Sequence, residues 1–304
     1  MSERVVYAQM HCHSRYSINP LSGEGAFHRF IWPVERQIMR LLMKSPTGLL
    51  RLANDRGVTF VAITDHNQIP LISGHGDFLI SGEEWGQTKG HSNFINLNET
   101  IDPECGYYDG IEPDKPNDFR AAVTEAKKKG AFVSINHPFK ADSWEWGEDS
   151  YGLADAIEIW NGPWSEENVR ALELWQNLLA KGSKIWCLAG NDFHVNHLFK
   201  IDSQVVAVLD VQNKESLISK LKTGDFSIAK DSTSPVVFIG RDLKYRIENY
   251  KSSLELRLVS SDSTRSILNP AREGLLDKND FKLFIRLEIW EGVYPLSFSN
   301  PVFF

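Results

Sequence analysis

The stretch VVYAQMHCHS, residues 5–14, places a run of β-branched and other apolar residues directly before two histidines, His11 and His13. The run Val5–Met10 predicts a buried β-strand. Side chains two residues apart on a strand point to the same side, about 6–7 Å from each other, so both imidazoles can bind one ion. The first strand is therefore predicted to end in a pair of metal ligands.

The same combination of strand and ligand recurs along the chain. The residues concerned are His66 in TDHN, Glu84 in SGEEW, His91 in KGHSN, His137 in INHP, and Asp192 with His194 in GNDFH. An isolated histidine in TDHN or NHP is often ordinary turn chemistry, because Asp, Asn and Pro favour turns. With His11 and His13, six of the nine histidines lie at such positions. One metal site at which the strand ends meet explains this set better than separate turns do. The other three, His28, His75 and His197, are predicted to have no role in it.

Short apolar runs alternate with amphipathic helical patterns over residues 1–232. The predicted strands are Val5–Met10, Val58–Thr64, Asp77–Gly82, Ser92–Leu97, Ala131–Asn136, Ala156–Trp160, Lys184–Ala189 and Gln204–Leu209. The predicted helices follow Asn117, begin at Ser165 and span Lys214–Lys222. This alternation is typical of an α/β fold with a mostly parallel sheet, open or closed into a barrel. The carboxyl ends of such strands form one rim, which is where barrels place their chemistry.

Two segments depart from this alternation. Residues 233–304 contain strand-like runs joined by polar turns, which predicts a small C-terminal all-β domain. Residues 20–52 contain a helical apolar patch, Gln37–Met43, between Gly- and Pro-containing turns. They are predicted to form an insertion or lid on the rim.

Composition restricts the class of partner. The chain has 304 residues, and 33 Lys and Arg against 40 Asp and Glu give a net charge of −7. This balance argues against a protein that wraps long nucleic acid, but it allows a local cationic pocket for a phosphate. A hydrophobic fraction of 42% is enough for a full core. The sequence sets no oligomeric state.

Targeting signals and cysteines bear on the compartment. No secretory signal precedes the first strand, and no run of about 18 apolar residues predicts a membrane span. Cys12, Cys105 and Cys187 have neither disulfide-framework nor zinc-site spacing, which favours the reducing cytoplasm. Cys12 and Cys187 adjoin apolar strand-like runs and are predicted to be packed thiols.

The ordered set HxH, DH, GxE, GH, NHP and DxH resembles the PHP (polymerase and histidinol phosphatase) family over residues 5–230. The closing segment, which ends in SNPVFF, is similar to the small domain of the CehA/McbA-like branch. The resemblance implies a distorted (β/α)7 barrel with two or three metal ions at its carboxyl rim. Members of the family are mainly hydrolases of phosphate esters, from small phosphomonoesters to nucleic-acid ends.

The resemblance also implies roles for individual residues. Glu84 matches the carboxylate that bridges two metals, and the G-x-E pattern, counted from Gly82, favours it over Glu83. By the same match, the first metal takes His11, His13, Glu84 and Asp192, the second takes Glu84, His91 and His137, and the third takes His66 and His194.

One position departs from the family pattern. The first motif usually continues into S-D-G, whose Asp helps to hold the third metal. Here Ser17 matches, but Ile18 stands in place of the Asp. Either Asn19 or Glu24 substitutes for it, or His66 and His194 contact the substrate directly.

Imidazole and carboxylate ligands without cysteine suit Zn²⁺, Mn²⁺ or Fe²⁺ better than Ca²⁺ or Mg²⁺. Two cations that share Glu84 would lower the pKa of a bridging water toward neutrality, and the resulting hydroxide can attack phosphorus. His194 or His66, when protonated, could deliver a proton to the leaving oxygen. Asp192 is also a candidate catalytic residue. Three further residues are candidate substrate-binding groups: Arg15, Lys140 and Asn161.

The predicted function is a metal-dependent phosphoesterase that cleaves a small phosphate mono- or diester. Two alternatives stay open: the same metal site could hydrolyse a carbamate, ester or amide, or a barrel could bind metal without turnover. Trp144, Trp146, Trp160 and Trp164 could form a stacking wall for an aromatic group, although core packing is the commoner role for tryptophan.

Overall fold

The computed structural model of the chain describes residues 4–17, 41–70, 76–87, 89–101, 118–140, 144–195 and 200–304. These residues form a mixed α/β fold with one large sheet and a second, three-stranded sheet. The strands are β1 (Val5–Gln9), β2 (Phe60–His66), β3 (Leu79–Gln87), β4 (Gly90–Ile95), β5 (Phe132–Ile135), β6 (Ala156–Asn161), β7 (Trp186–Gly190), β8 (Ser203–Leu209), β9 (Ser227–Asp231), β10 (Val236–Ile239), β11 (Lys244–Glu248), β12 (Glu255–Val259), β13 (Thr264–Leu268), β14 (Glu273–Leu275), β15 (Phe284–Glu291), β16 (Tyr294–Ser299) and β17 (Val302–Phe303). The helices are α1 (Pro46–Asn54), α2 (Phe119–Lys128), α3 (Glu166–Ala180) and α4 (Lys214–Thr223).

The strands of the N-terminal part follow the apolar runs of the sequence. Strand β2 is buried at every position, as expected for a strand covered on both faces. Strand β3 differs from the prediction Asp77–Gly82, because it begins at Leu79 and continues to Gln87. Glu84 therefore lies inside a strand, with its backbone fixed by both neighbouring strands.

The large sheet has the strand order β13-β12-β15-β16-β9-β8-β1-β2-β3-β4-β5-β6-β7, with β17 paired to β15. Strands β1, β2 and β3 are parallel to one another, and so are β5, β6 and β7. Strand β4 is antiparallel to both β3 and β5, and β8 is antiparallel to β1 and β9. The sheet is therefore mixed.

The predicted distorted (β/α)7 barrel is not found: within the described ranges the strand pairings form an open path without a closed sheet. Strand β4 begins three residues after the end of β3 and pairs antiparallel with it, which breaks the repeat of strand and helix. At β7, the backbone N–H of Cys187 donates to the side chain of Asn300 at 2.7 Å instead of to a strand. Beyond the ends of β1 and β7, an isolated parallel bridge between Cys12 and Phe193 connects the two segments.

The helices begin and end where the sequence provides caps. Asp118 accepts hydrogen bonds from the first turn of α2, and Ser165 precedes α3. Helix α4 begins with a capping box at Asn213 and ends at Gly224, whose φ of 75° is in the left-handed region. In the described part of the chain, each helix is too short or too polar to cross a membrane.

The C-terminal strands continue the large sheet, since β16 pairs antiparallel with β9 across the predicted boundary at residue 232. A separate apolar cluster lies between the strands that follow, around Ile247, Leu256 and Leu287. The division into residues 1–232 and 233–304 stays a prediction. Of the predicted insertion 20–52, residues 20–40 lie outside the described residues, and α1 begins within the remainder at Pro46 and packs against β2.

Candidate metal centre

Two extended segments place the paired ligands side by side. Beyond β1 and β7 the backbone N–H of His13 donates to the carbonyl of Phe193 at 2.8 Å, next to the bridge at Cys12. Each segment alternates its side chains, so the pair at 11 and 13 faces the pair at 192 and 194. The ring centroids of His13 and His194 are 4.1 Å apart.

Glu84 is fully buried and lies at the centre of the site. A Cβ at Gly82 would come within 2.6 Å of the carbonyl oxygen of Phe94, so a glycine there allows β4 to lie close to β3. Glu83, the neighbouring residue, accepts a hydrogen bond from the backbone of Ile101 at 2.7 Å. Five imidazoles surround the carboxylate of Glu84: His11 Nε2 at 3.2 Å, His137 Nε2 at 3.2 Å and His91 Nδ1 at 3.4 Å from Oε1, and His66 Nδ1 at 3.0 Å and His13 Nε2 at 3.3 Å from Oε2.

Asp192 completes this group from the other side. Its Oδ1 lies 3.1 Å from His13 Nε2 and 3.5 Å from His11 Nε2. The backbone φ of Asp192 is 53°, a left-handed conformation in which asparagine and aspartate are enriched. Both carboxylates therefore face the same two imidazole nitrogens.

Three of the histidines are oriented through their other ring nitrogen. His11 Nδ1 contacts Glu158 Oε1 at 3.1 Å, and His13 Nδ1 contacts the hydroxyl of Ser17 at 3.1 Å. His194 Nδ1 donates to the carbonyl oxygen of Asp192 at 2.8 Å. A partner of this kind fixes the tautomer in which Nε2 is free to bind a metal.

The donor set fits divalent metal ions. Five buried atoms of the proposed ligands have no hydrogen-bond partner in the described residues: His66 Nδ1, Glu84 Oε2, His137 Nδ1, Asp192 Oδ1 and His194 Nε2. Unpaired polar atoms are costly to bury, and a bound cation removes that cost. The separations of 3.0–3.5 Å between donors suit neighbouring ligands at about 2.0–2.2 Å from one metal.

The donors fall into four overlapping groups. They are His11, His13, Glu84 and Asp192; His13, His66 and His194; His66, Glu84 and His91; and His11, His137 and Glu158. The first group has the composition predicted for the first metal. His91 groups with His66, and His137 with His11, so the assignment of these residues to a second and a third ion stays a prediction. Ile18, Asn19 and Glu24 lie outside the described residues, as do His28, His75 and His197.

The pKa values of the histidines in the site shift in opposite directions. Burial lowers the pKa of His13, but the neighbouring carboxylates of Asp192 and Glu84 outweigh it and raise that pKa to about 9. Burial and the charge of His13 lower the pKa of His194 to about 4, and burial also lowers that of His66. Both are therefore neutral at pH 7, which favours their predicted role as ligands over that of proton donors.

The predicted substrate-binding residues differ in their exposure and their contacts. The ammonium of Lys140 donates to Asn161 Oδ1, and Asn161 is almost fully buried. Arg15 is exposed two residues after His13. Lys140 and Asn161 are thus held together, whereas Arg15 projects to solvent.

The four tryptophans considered as a stacking wall pack against the core. Trp160 is buried and lies edge-to-face with Trp164 and Phe298. Trp144 lies edge-to-face with Phe119 at 4.7 Å, and Trp146 packs against Trp85 at 5.8 Å. Core packing therefore accounts for all four of them.

Two polar residues of the site were not predicted from the sequence. Asn136 donates from its side chain to Glu84 Oε1 at 2.8 Å, and Glu158 contacts His11. The signal for Glu158 was a charged residue inside the apolar strand AIEIW, since a buried acid needs a specific partner.

Comparison with known proteins shows similarity at the level of the fold. No protein-family model matches the chain. An uncharacterized protein of Methanocaldococcus jannaschii is 25% identical over 189 residues, which cover 60% of this chain and 96% of that protein. A two-domain protein from Bacteroides vulgatus that contains a predicted PHP-like metal-dependent phosphoesterase has a crystal structure with a TM-score of 0.52 and 16% identity, over 98% of this chain and 95% of its own.

A weaker likeness is to the lesion-specific endonuclease EndoQ from Pyrococcus furiosus. Its TM-score is 0.45 at 15% identity, over 83% of this chain and 62% of its own. The structural neighbours thus include PHP-like proteins, as the sequence predicted. The CehA/McbA-like branch stays a prediction.

Proposed function

We propose that this chain is a metal-dependent hydrolase that cleaves a small phosphate mono- or diester. The observation that supports it most is the buried Glu84 carboxylate, which lies 3.0–3.4 Å from nitrogens of five imidazoles. The ligands of the proposed two or three ions (Mn, Fe or Zn) are His11, His13, His66, Glu84, His91, His137, Asp192 and His194.

The protein's own residues would have different roles in this reaction. When bound, divalent ions supply a hydroxide nucleophile at neutral pH and neutralise charge on the phosphate oxygens. Glu84 presents Oε1 to His11 and Oε2 to His13, and Asp192 Oδ1 faces the same two imidazoles. Lys140, held by Asn161, offers an ammonium to a non-bridging oxygen of the substrate.

A phosphate ester suits the cationic residues near the ligand motifs. A substrate phosphate is anionic, and both Lys140 and Arg15 are cations close to the ligand motifs. The net charge of −7 disfavours a long polyanion, because such a ligand needs an extended basic face. A carbamate or carboxylic ester has less need of these cations, so it is the second candidate.

The test begins with metal content, measured by plasma mass spectrometry on protein purified without chelators. Hydrolysis is then assayed on p-nitrophenyl phosphate, bis-p-nitrophenyl phosphate and an aryl carbamate. Glu84→Gln is expected to lose bound metal and to reduce turnover at least about 100-fold, since it removes the shared carboxylate. Glu83→Gln is the matched control, because Glu83 is equally buried and adjacent but hydrogen-bonds to the backbone of Ile101.

Each outcome distinguishes one hypothesis. Phosphate-ester hydrolysis that E84Q loses and E83Q keeps supports the proposal. Hydrolysis of the carbamate alone selects the second candidate. Protein that binds metal but hydrolyses none of these substrates selects the non-catalytic alternative, and failure to bind Mn, Fe or Zn contradicts all three.

A further inference from the structure

Glu158 is a buried carboxylate that the proposed ligand set does not include. It lies on β6 with 1% of its surface exposed. Its Oε1 lies 3.1 Å from His11 Nδ1. An isolated buried carboxylate is unfavourable, so its contacts define what it does.

The contact with His11 is on the side of the ring that faces away from the other ligands. His11 Nε2 points to Glu84 and Asp192, at 3.2 and 3.5 Å. Nδ1 can therefore carry the proton and donate it to Glu158 while Nε2 binds metal. A carboxylate in this position orients the imidazole and raises its basicity.

The second oxygen of Glu158 serves a different part of the site. Oε2 accepts hydrogen bonds from the backbone N–H of His137 at 3.1 Å and from Asn161 Nδ2 at 2.8 Å. Asn161 in turn accepts from the ammonium of Lys140. One carboxylate thus connects two proposed metal ligands with the proposed phosphate-binding cation.

The surroundings leave little room for this carboxylate to move. A Cβ on Gly190 would lie 2.5 Å from Glu158 Oε1 and 2.3 Å from the Cβ of His11, so only glycine permits the contact. Asn161 is held as well, because its backbone N–H donates to Asn168 Oδ1 at 2.9 Å. Glu158, His11 and Asn161 therefore form a rigid unit.

We propose that Glu158 is a positioning residue that sets both the orientation of His11 toward the metal and the placement of Lys140 toward the substrate phosphate. This inference rests on the proposed function, since it assumes a metal at His11 and an anion at Lys140. It predicts that a substitution of Glu158 weakens two separate binding events, whereas a substitution of Ser17, the partner of His13, or of Asn161, the partner of Lys140, weakens only one.

The experiment measures binding instead of turnover. Zn²⁺ affinity is determined by competition with a chelator, and the affinity of the metal-saturated protein for inorganic phosphate is determined by calorimetry. Glu158→Ala is expected to weaken both, the metal by about 10- to 100-fold and phosphate by about tenfold. The isosteric Glu158→Gln leaves no cavity and is expected to weaken Zn²⁺ binding about tenfold, because the charge that faces His11 is lost.

Two matched variants separate the two effects. Ser17→Ala removes the partner of His13 Nδ1, so it should weaken Zn²⁺ binding and leave phosphate affinity unchanged. Asn161→Ala removes the partner of Lys140, while Glu158 keeps its contacts with His11 and with the backbone N–H of His137. It should therefore weaken phosphate binding and leave Zn²⁺ affinity close to that of the wild type.

The proposal is overturned if E158Q binds Zn²⁺ as tightly as wild type, or if folded E158A keeps wild-type phosphate affinity. Should E158A fail to fold, the Zn²⁺ affinity of E158Q decides the metal half, and Glu158→Asp, whose carboxylate is withdrawn by one methylene, decides the phosphate half. A wild-type protein that binds none of Zn²⁺, Mn²⁺ and Fe²⁺ contradicts the proposed function itself, which is a different result from a variant that binds as the wild type does.

Discussion

The burial of acids and bases together makes the centre suited to a cation. Glu84 and His11 are both inaccessible to solvent, and the histidines lower the pKa of Glu84 against the opposing effect of burial. Burial lowers the pKa of His11, but Glu84, Glu158 and Asp192 more than compensate and raise it. In the metal-free protein, protons must supply the positive charge that balances these carboxylates. A divalent ion replaces those protons, so metal binding is expected to release them.

Burial also sets the chemistry of two cysteines. Cys12 and Cys187 are fully buried, and burial raises the pKa of both thiols. The thiolate is the reactive form, so both residues are expected to resist iodoacetamide at pH 8 in the native protein and to react in 6 M guanidinium, at about the rate of a free cysteine. Peptide mapping by mass spectrometry measures this for each residue. Labelling of Cys12 or Cys187 in the native protein at the denatured rate would contradict their packing.

At the scale of the elements, the ends of β1 and β7 must approach closely for the ligand pairs to meet. The absence of a Cβ at Gly190 permits this approach, because the atom would lie 2.3 Å from the Cβ of His11. The atoms that a Cβ at Gly190 would approach most closely thus belong to a proposed metal ligand, His11, and to its carboxylate partner, Glu158.

Gly190→Ala is therefore expected to destabilise the metal-free protein by about 1–3 kcal/mol through overpacking, and to weaken Zn²⁺ binding as well. Urea denaturation and chelator competition measure the two effects. Gly152→Ala is the matched control, since a Cβ there meets no atom within 4 Å. Wild-type stability and Zn²⁺ affinity in G190A would show that β1 and β7 are not in close contact.

Part of the arrangement of the strands and of the site could be predicted from the sequence. The ligand pair at 11 and 13 was predictable because strand periodicity is strict, and all eight candidate ligands lie together. The alternation of strands and helices left both an open sheet and a barrel possible, and the resemblance favoured the barrel, whereas the described strand pairings form an open path. The partners of Glu158 could not be predicted, since they depend on which strands lie beside β6.

At the scale of the whole molecule, buried polar contacts connect the C-terminal strands to α3. Arg286 and Glu288 form a buried ion pair on β15. Gln176 of α3 accepts from Arg286 at 3.0 Å, and Trp290 donates to Glu288 at 2.7 Å. Trp164, which follows β6, packs edge-to-face against Trp290. These contacts and the pairing of β9 with β16 join the strand that carries Glu158 to the C-terminal strands.

The full chain is therefore expected to unfold in a single urea transition, with coincident curves from far-UV circular dichroism and tryptophan fluorescence. Glu288→Ala leaves Arg286 buried without its partner, so it should lower the free energy of unfolding by about 3–5 kcal/mol and shift both curves together. Arg265→Ala is the matched control, because it breaks an exposed pair with Asp280 and should cost less than about 1 kcal/mol. If E288A instead separates the two curves, residues 233–304 unfold independently, and the C-terminal strands do not support the site.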